Sequence, residues 1–337
     1  MRFTRPILRL PISFSAETLA REVAALPESA WSPHPDGFRG NEAIRLVSPN
    51  GEDSDDWAGP MAATGHLQAC PYIMQIMAEL GGVWGRSRLM GLAPGAQVPP
   101  HIDRHYYWRT HLRLHIPVIT NPSVTFTCGG ETVHMAAGEC WIFDSFQRHE
   151  VHNNGADRRI HLVLDTVGGG RLPELLKAMD GNPIASDKLE PGQRPPVPLH
   201  FERVNRPTVM SPWEIRCHIR YLADLSEEHP RLPALIELLE RFADDWASLW
   251  ARFGEDLAGA AEYQQLLART GGSLDALGGD GILLTNGVSF YSALRRLVFE
   301  FALSDSPQDP KLPPGPNLAI AACLSENPAA PPSQGPK

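Results

Sequence analysis

From Arg88 to Val167 apolar and polar residues follow one another in short alternating or β-branched runs, cut by APG, TNP, CGG, AAGE and NNG. A period of two with turn-forming interruptions predicts an antiparallel sandwich or barrel. Upstream the spacing is helical. Ser15 can cap a helix running to about Leu26, with Glu17 in its first turn and Leu19, Val23 and Leu26 along one side; a second helix is predicted over Pro71 to Leu80. After Gly168, Gly169 and Gly170 the runs LPELLKAMD, LPALIELLERFADDWASLWARF and VSFYSALRRLVFEFAL predict a helical region, separated by PGQRPPVP and glycine-rich turns. Trp213, Trp246 and Trp250 are expected in its core, two of them four apart on one helix face. From Ser304 the chain is rich in Pro and poor in large apolar residues, which predicts a mobile or surface-lying tail. The expected organisation is thus a β domain over 1–170 with N-terminal helices, a helical region over 171–303 and a tail over 304–337.

Within the β segment one pattern occurs twice. Arg113 to Thr120 reads RLHIPVIT and Arg159 to Thr166 reads RIHLVLDT. Alternate residues of a strand point to opposite faces, so Arg113 and His115 share one face and Leu114 and Ile116 the other, and Arg159 and His161 are likewise opposed to Ile160, Leu162 and Leu164. A basic stripe inside an apolar sandwich has to meet an anion, because an unpaired buried guanidinium is very costly. Glu150 and Asp165 are candidate partners for Arg159; an acidic ligand is the other.

Composition narrows the classes of function. At 337 residues the chain can form a large core, and its net charge of −9 argues against a nucleic-acid groove. Small-molecule or peptide partners are expected instead. Cys70, Cys128, Cys140, Cys217 and Cys323 are odd in number, scattered and without a CxxC pair, which favours a reducing cytoplasm over a disulfide framework or a thiolate zinc site. The N-terminal MRFTRPILRLPISF has arginines breaking up its apolar residues, and no apolar run approaches a membrane span, so neither export nor anchoring is expected.

The candidate chemistry lies in VPPHIDRHYYW and FDSFQRHEVHN. His101 and Asp103, two apart, are expected on one side of a strand, and His149 or His152 offers a third donor. Two histidines and a carboxylate form the facial triad that holds non-haem Fe(II) with three positions open. HxD alone is weak evidence, and its bland reading is a surface turn after two prolines. Arg109 and His111 share the parity of Arg113 and are alternative anion contacts. His105, Tyr106, Tyr107 and Trp108 could form a lip on the substrate side or simply pack, and His134 and His161 read as structural.

Taken in order, HID, RLHIPVITNP, HMAAGECWIFDSFQRHEVHN and RIHLVLDT resemble the aspartyl/asparaginyl β-hydroxylase family of Fe(II) and 2-oxoglutarate dependent oxygenases, in particular the bacterial branch that includes free-proline hydroxylases. The resemblance covers about Arg88 to Val167. The animal aspartyl hydroxylase of the family lacks the carboxylate ligand, whereas Asp103 is in place here, so the bacterial pattern fits better. The resemblance implies a mainly β core folded as a double-stranded β-helix of the jelly-roll or cupin-like type, with the two octets as antiparallel neighbours. It implies that His101, Asp103 and His149 bind Fe(II), the HEV register selecting His149 over His152. It also implies that Arg113, His115 and Arg159 hold the carboxylates of the cosubstrate 2-oxoglutarate, and that O2 is consumed. Arg suits that task because its planar fork can bind a carboxylate bidentately.

The activity so implied is a dioxygenase reaction that hydroxylates an aliphatic carbon of an amino acid, a peptide or a related metabolite. Two other readings use the same segment: a cupin-like metalloenzyme without 2-oxoglutarate, which has no need of two RxH strands, and a non-catalytic β-sandwich binding module, which would tolerate loss of any one ligand. The helical region is expected either to cover the cavity or to join two copies as a homodimer.

Overall fold

The computed structural model describes residues 5–35, 37–178, 187–193 and 198–304. Its β core opens with β1 (Ile7–Phe14), α1 (Ala16–Ala24), β2 (Ser32–Pro33), β3 (Asn41–Pro49), β4 (Met61–Ala63), α2 (Gly65–Gln68) and α3 (Pro71–Leu80). It continues through β5 (Val83–Leu92), β6 (Gln97–His101), α4 (Tyr106–Thr110), β7 (Leu112–Ile119), β8 (Val124–Cys128), β9 (Glu131–Val133), β10 (Glu139–Phe143), β11 (His149–Asn153) and β12 (Arg159–Thr166). Then come α5 (Leu172–Lys177), β13 (Asp187–Leu189), β14 (His200–Phe201), α6 (Pro212–Asp224), α7 (Leu232–Phe253), α8 (Ala260–Leu277) and α9 (Phe290–Leu294).

Two sheets form the sandwich expected of the β segment, and neither closes into a barrel. The larger runs β13-β1-β10-β7-β12-β5-β3-β2, with β14 beside β5 and β4 beside β3; the smaller runs β6-β11-β8-β9. The octets are antiparallel neighbours, with Asp165 opposite Arg113, Leu164 opposite Leu114 and Val163 opposite His115. Their apolar faces carry Leu114, Ile116 and Val118 with Ile160, Leu162 and Leu164, and these pack with α1, α3 and α5 in one core. The opposite face looks into the sandwich, where Ile7, Leu92, Phe126, Cys128, Phe143 and Val151 from both sheets meet. Covered on both sides, all eight residues of β12 are buried, as a central strand requires.

The helices over the outer face start and stop where local chemistry says they should. The Ser15 hydroxyl accepts from the Thr18 N–H, and α3 has proline in its first turn and Gly81 at its end with φ 67°. Glu22 of α1 caps α3 by accepting from the N–H groups of Tyr72 at 2.6 Å and Ile73 at 3.1 Å.

The expected N-terminal helices are present, and the same segment also supplies strands that the sequence reading did not include, β1 and β3 of the larger sheet. In β1, Leu8, Leu10, Ile12 and Phe14 alternate with Arg9, Pro11 and Ser13, a strand period that the arginines obscure. Beyond Gly170 the larger sheet gains two short strands, β13 beside β1 and β14 beside β5.

The helical region has its own core, built by α6 to α9 around Ile215, Leu239, Phe242, Trp246, Tyr263 and Leu294, and joined by Tyr106 and Phe146 from the β core. Trp246 is fully buried and donates to the Met210 carbonyl at 2.8 Å, and Trp250 packs against the same core. Trp213 does not belong to it: at the first turn of α6 it is 70% exposed. The helix after Phe290 turns at Arg295–Phe299 into a wider π-type coil. The expected tail lies outside the described residues from 305 on, as do Met179 and Asp180 of LPELLKAMD. Among the described residues no helix is long and apolar enough to cross a membrane, and Cys70, Cys128, Cys140 and Cys217 are free thiols.

Candidate metal centre

Three donors converge at the edge of the smaller sheet. His101 ends β6 and His149 begins β11, and the two stand opposite each other in the antiparallel register. Asp103 follows two residues later, but not on the strand: β6 stops at His101, and the Asp103 N–H donates to the Ser145 carbonyl at 3.0 Å in the loop before α4. Pro99 and Pro100 are tolerated because β6 is an edge strand. His101 Nε2 lies 3.8 Å from Asp103 Oδ1, and His149 Nε2 lies 3.9 Å from Asp103 Oδ2. One donor atom from each residue falls within 4.8 Å of the others, and no other trio of this kind occurs among the described residues.

Each imidazole is fixed by its second nitrogen. His101 Nδ1 is 2.9 Å from the Pro99 carbonyl, and His149 Nδ1 is 2.9 Å from the Gln147 carbonyl. Donation from Nδ1 leaves Nε2 as the free lone pair, the arrangement that orients metal-binding histidines. Burial pushes the His149 imidazole down to about 4, with Asp103 opposing and His101 assisting, so the ring is neutral near pH 7. His152 is turned outward onto Glu150 at 3.2 Å and takes no part. Two imidazoles and one carboxylate are the donor set for Fe(II) with open positions.

The two arginines of the octets are separated by the pairing of their strands. Arg113 comes to the donor cluster, its Nη1 3.4 Å from Asp103 Oδ2, while its fork is taken by Asp165 at 3.0 and 3.5 Å. Burial works against its charge, but Asp165 and Asp103 outweigh burial and raise its pKa. Trp108 lies against its guanidinium at 3.7 Å.

Arg159 sits toward the other end of β12. It is buried, its Nη2 is 2.7 Å from His161 Nδ1, and no carboxylate pairs with it among the described residues. The chain continues from His161 to His115, Nδ1 to Nδ1 at 3.4 Å. Arg159 Nε, His161 Nε2 and His115 Nε2 are buried without hydrogen-bond partners. Burial lowers Arg159 to about 9, and burial together with the Arg159 charge holds both histidines neutral. A cation still protonated at neutral pH, with orphaned donors and no counterion, fits a carboxylate such as that of 2-oxoglutarate.

The remaining residues singled out from the sequence are accounted for locally. His111 Nε2 meets Glu202 at 2.8 Å, and Arg109 lies over the Tyr221 ring at 3.8 Å on α4 rather than on β7. His134 bonds the Val124 carbonyl. Tyr106 and Tyr107 are buried rather than forming a lip, Tyr106 donating to Glu214 at 2.6 Å.

Sequence reasoning missed the partnership of Asp165 with Arg113, although strand parity places Asp165 on the inward face with Arg159 and His161. It also missed a second basic patch, in which Arg88 is buried 3.5 Å from Asp55 and lowered to about 9 by burial and the charges of Arg86 and Arg113. No periodic signal marks the Asp55 loop.

An open two-sheet jelly roll with a His-Asp-His cluster at the edge of its smaller sheet has the build of a cupin-like metal site. Residues 56–168, about a third of the chain, match the family Aspartyl/Asparaginyl beta-hydroxylase, which supports a hydroxylase of the 2-oxoglutarate and Fe(II) dependent kind. Solved structures of similar shape include a 2OG-Fe(II) oxygenase family oxidoreductase from Burkholderia pseudomallei, with 16% identity over 49% of this chain and 86% of that one at a TM-score of 0.37. A Pseudomonas putida prolyl-4-hydroxylase has 17% identity over 50% and 95% at 0.36. A Trichoplax adhaerens prolyl hydroxylase, in complex with a hypoxia inducible factor peptide fragment, has 13% over 53% and 89% at 0.35.

Proposed function

We propose that His101, Asp103 and His149 hold the Fe(II) of this oxygenase, that Arg159 with His115 holds the distal carboxylate of 2-oxoglutarate, and that the substrate is an amino acid, a peptide or a related metabolite hydroxylated on an aliphatic carbon. Bound Fe(II) supplies activation of O2 coupled to oxidative decarboxylation of 2-oxoglutarate to succinate, with the second oxygen atom going to the substrate carbon. The protein's own part is placement. The Pro99 and Gln147 carbonyls aim the imidazoles, and Asp165 draws Arg113 into a position where it braces Asp103. The buried Phe126 and Phe143 rings beside His149 make the inner wall apolar.

The observation that carries this reading is the pairing of a His-Asp-His cluster with a buried, uncompensated Arg159 in one sandwich interior. A cupin-like metalloenzyme without a keto acid would leave that guanidinium without purpose. The test is equilibrium dialysis of Fe(II) and of 2-oxoglutarate against the full chain, together with succinate formation. One equivalent of metal and metal-dependent oxoglutarate binding are expected. An unchanged metal stoichiometry in both His101→Ala and His149→Ala would sink the assignment.

A further inference from the structure

We infer that the cleft beside the donor cluster recognises a carboxylate of the substrate, with Arg109 as the anion contact and Trp108 and Tyr221 flanking the substrate's body; this rests on the metal assignment proposed above. The cleft is bounded by Asp103 at one side and lined by Trp108, Arg109, Arg113, Phe146 and Tyr221. It therefore joins a candidate metal ligand to a side chain of the helical region.

The charges in this cleft are unequally used. Arg113 is saturated by Asp165 and Asp103, and His111 by Glu202. Arg109 forms no ion pair among the described residues, and its Nε is buried without a hydrogen-bond partner. Asp144, also on the cleft wall, feels the Arg109 charge but is engaged by the Phe146 N–H at 3.1 Å. The face of the Arg109 guanidinium lies on the Tyr221 ring at 3.8 Å, and Tyr221 is held by Phe146 at 5.5 Å between centroids.

Stacking occupies the face of a guanidinium and leaves the donors on its edge directed outward in a plane, which is the geometry that accepts a carboxylate. Arg159 belongs to the opposite arm of the site, behind His115, so the two anion contacts serve different molecules. A substrate carboxylate on Arg109 would leave its carbon chain lying between aromatic walls and pointing at Asp103. The carboxylate could be the α-carboxylate of a free amino acid or the terminal carboxylate of a short peptide.

Protein loaded with Fe(II) and 2-oxoglutarate is to be titrated with the common L-amino acids, their α-carboxamides, and dipeptides with free or amidated C-termini. Two readouts are taken, the ligand-induced shift in thermal midpoint and the conversion of oxoglutarate to succinate. At least one acid is expected to act where its amide does not. Activity among free amino acids alone identifies that source, and activity among free-terminus dipeptides alone identifies the other. In Arg109→Gln the half-saturating acid concentration should rise on the order of tenfold or more, with metal and oxoglutarate affinities unchanged. Tyr221→Leu should show a smaller rise in the same parameter, which a purely structural role for Arg109 would not predict. Amides as effective as acids, an Arg109→Gln variant that binds the acid like the wild type, or no response to any carboxylate by protein that binds metal and oxoglutarate would each overturn the inference. Should the wild type bind neither Fe(II) nor oxoglutarate, the metal assignment fails, and acid-over-amide discrimination in the thermal shift still decides the Arg109 site.

Discussion

At the scale of single residues the site separates into side chains that would hold the metal, side chains that aim them, and two guanidinium groups, Arg159 and Arg109, without an ion-pair partner among the described residues. Asp165 belongs to the second group. Asp165→Asn should loosen Arg113 from its 3.0 Å contact and let it compete for Asp103, lowering metal affinity by about 10- to 100-fold as lost supporting contacts do; equilibrium dialysis reads this directly. His152→Ala should leave metal affinity unchanged, because that ring faces Glu150 and solvent. Arg159→Ala should weaken 2-oxoglutarate binding by about 2 to 5 kcal/mol, the scale of truncating one side of a buried charge pair, with Fe(II) affinity intact; titration calorimetry separates the two. The convergence of His101, Asp103 and His149 and the inward placement of Arg159 were legible from residue type, spacing and resemblance. The division of labour between the two arginines was not, because parity tells which face a side chain occupies and says nothing of which carboxylate arrives there from a neighbouring strand.

At the scale of elements, legibility followed how purely local the determining forces are. The α3 and α7 boundaries were read from the sequence as the structure has them, at Pro71–Leu80 and Leu232–Phe253, since proline starts and glycine stops are short-range signals. The helix α8 was missed because Gly271 and Gly272 read as a turn. The structure carries the helix through them, since Tyr263, Leu266, Thr270 and Leu274 repeat at helical spacing on its buried side, and tertiary packing overrides the low propensity of two glycines. The cap that Glu22 places on α3 is another long-range contact that no local pattern announces. Glu22→Ala should strand two N–H groups at a packed helix start and cost about 1 to 3 kcal/mol, visible as a lower thermal midpoint without loss of metal binding.

At the scale of the whole molecule the β core and the helices meet on the loops that carry the site. Asn286 donates to the Phe146 carbonyl at 2.6 Å, Arg104 to Ser292 at 3.3 Å, and Phe301 stacks on Tyr106. In the glycine run at 168–170, Gly170 lies against the C-terminal end of α3. A Cβ on Gly170 would stand 2.3 Å from the Leu80 carbonyl oxygen at a φ of +53°. Gly170→Ala should therefore destabilise the chain by more than about 1 kcal/mol, read from denaturant unfolding. Because the loops next to His101, Asp103 and His149 touch both cores, Fe(II) or a redox-inert substitute bound there at about 100 times its Kd should add about 2.7 kcal/mol to the stability of both and move a single thermal transition. Two transitions of which only one moves would show that the helical region does not sense the site.

If Arg159 holds a carboxylate as proposed, its unpaired guanidinium would also bear on the lifetime of the protein in a cell. A buried cation without a counterion raises the free energy of the empty fold, and a bound oxoglutarate would offset that, so the fraction of chains transiently open to proteases should fall as oxoglutarate accumulates. Abundance would then follow nutrient supply with no regulator and no change in synthesis. Arg159→Met, which removes the charge but keeps the bulk, should yield a protein whose proteolytic half-life no longer depends on oxoglutarate, measurable by pulse proteolysis across a range of the keto acid.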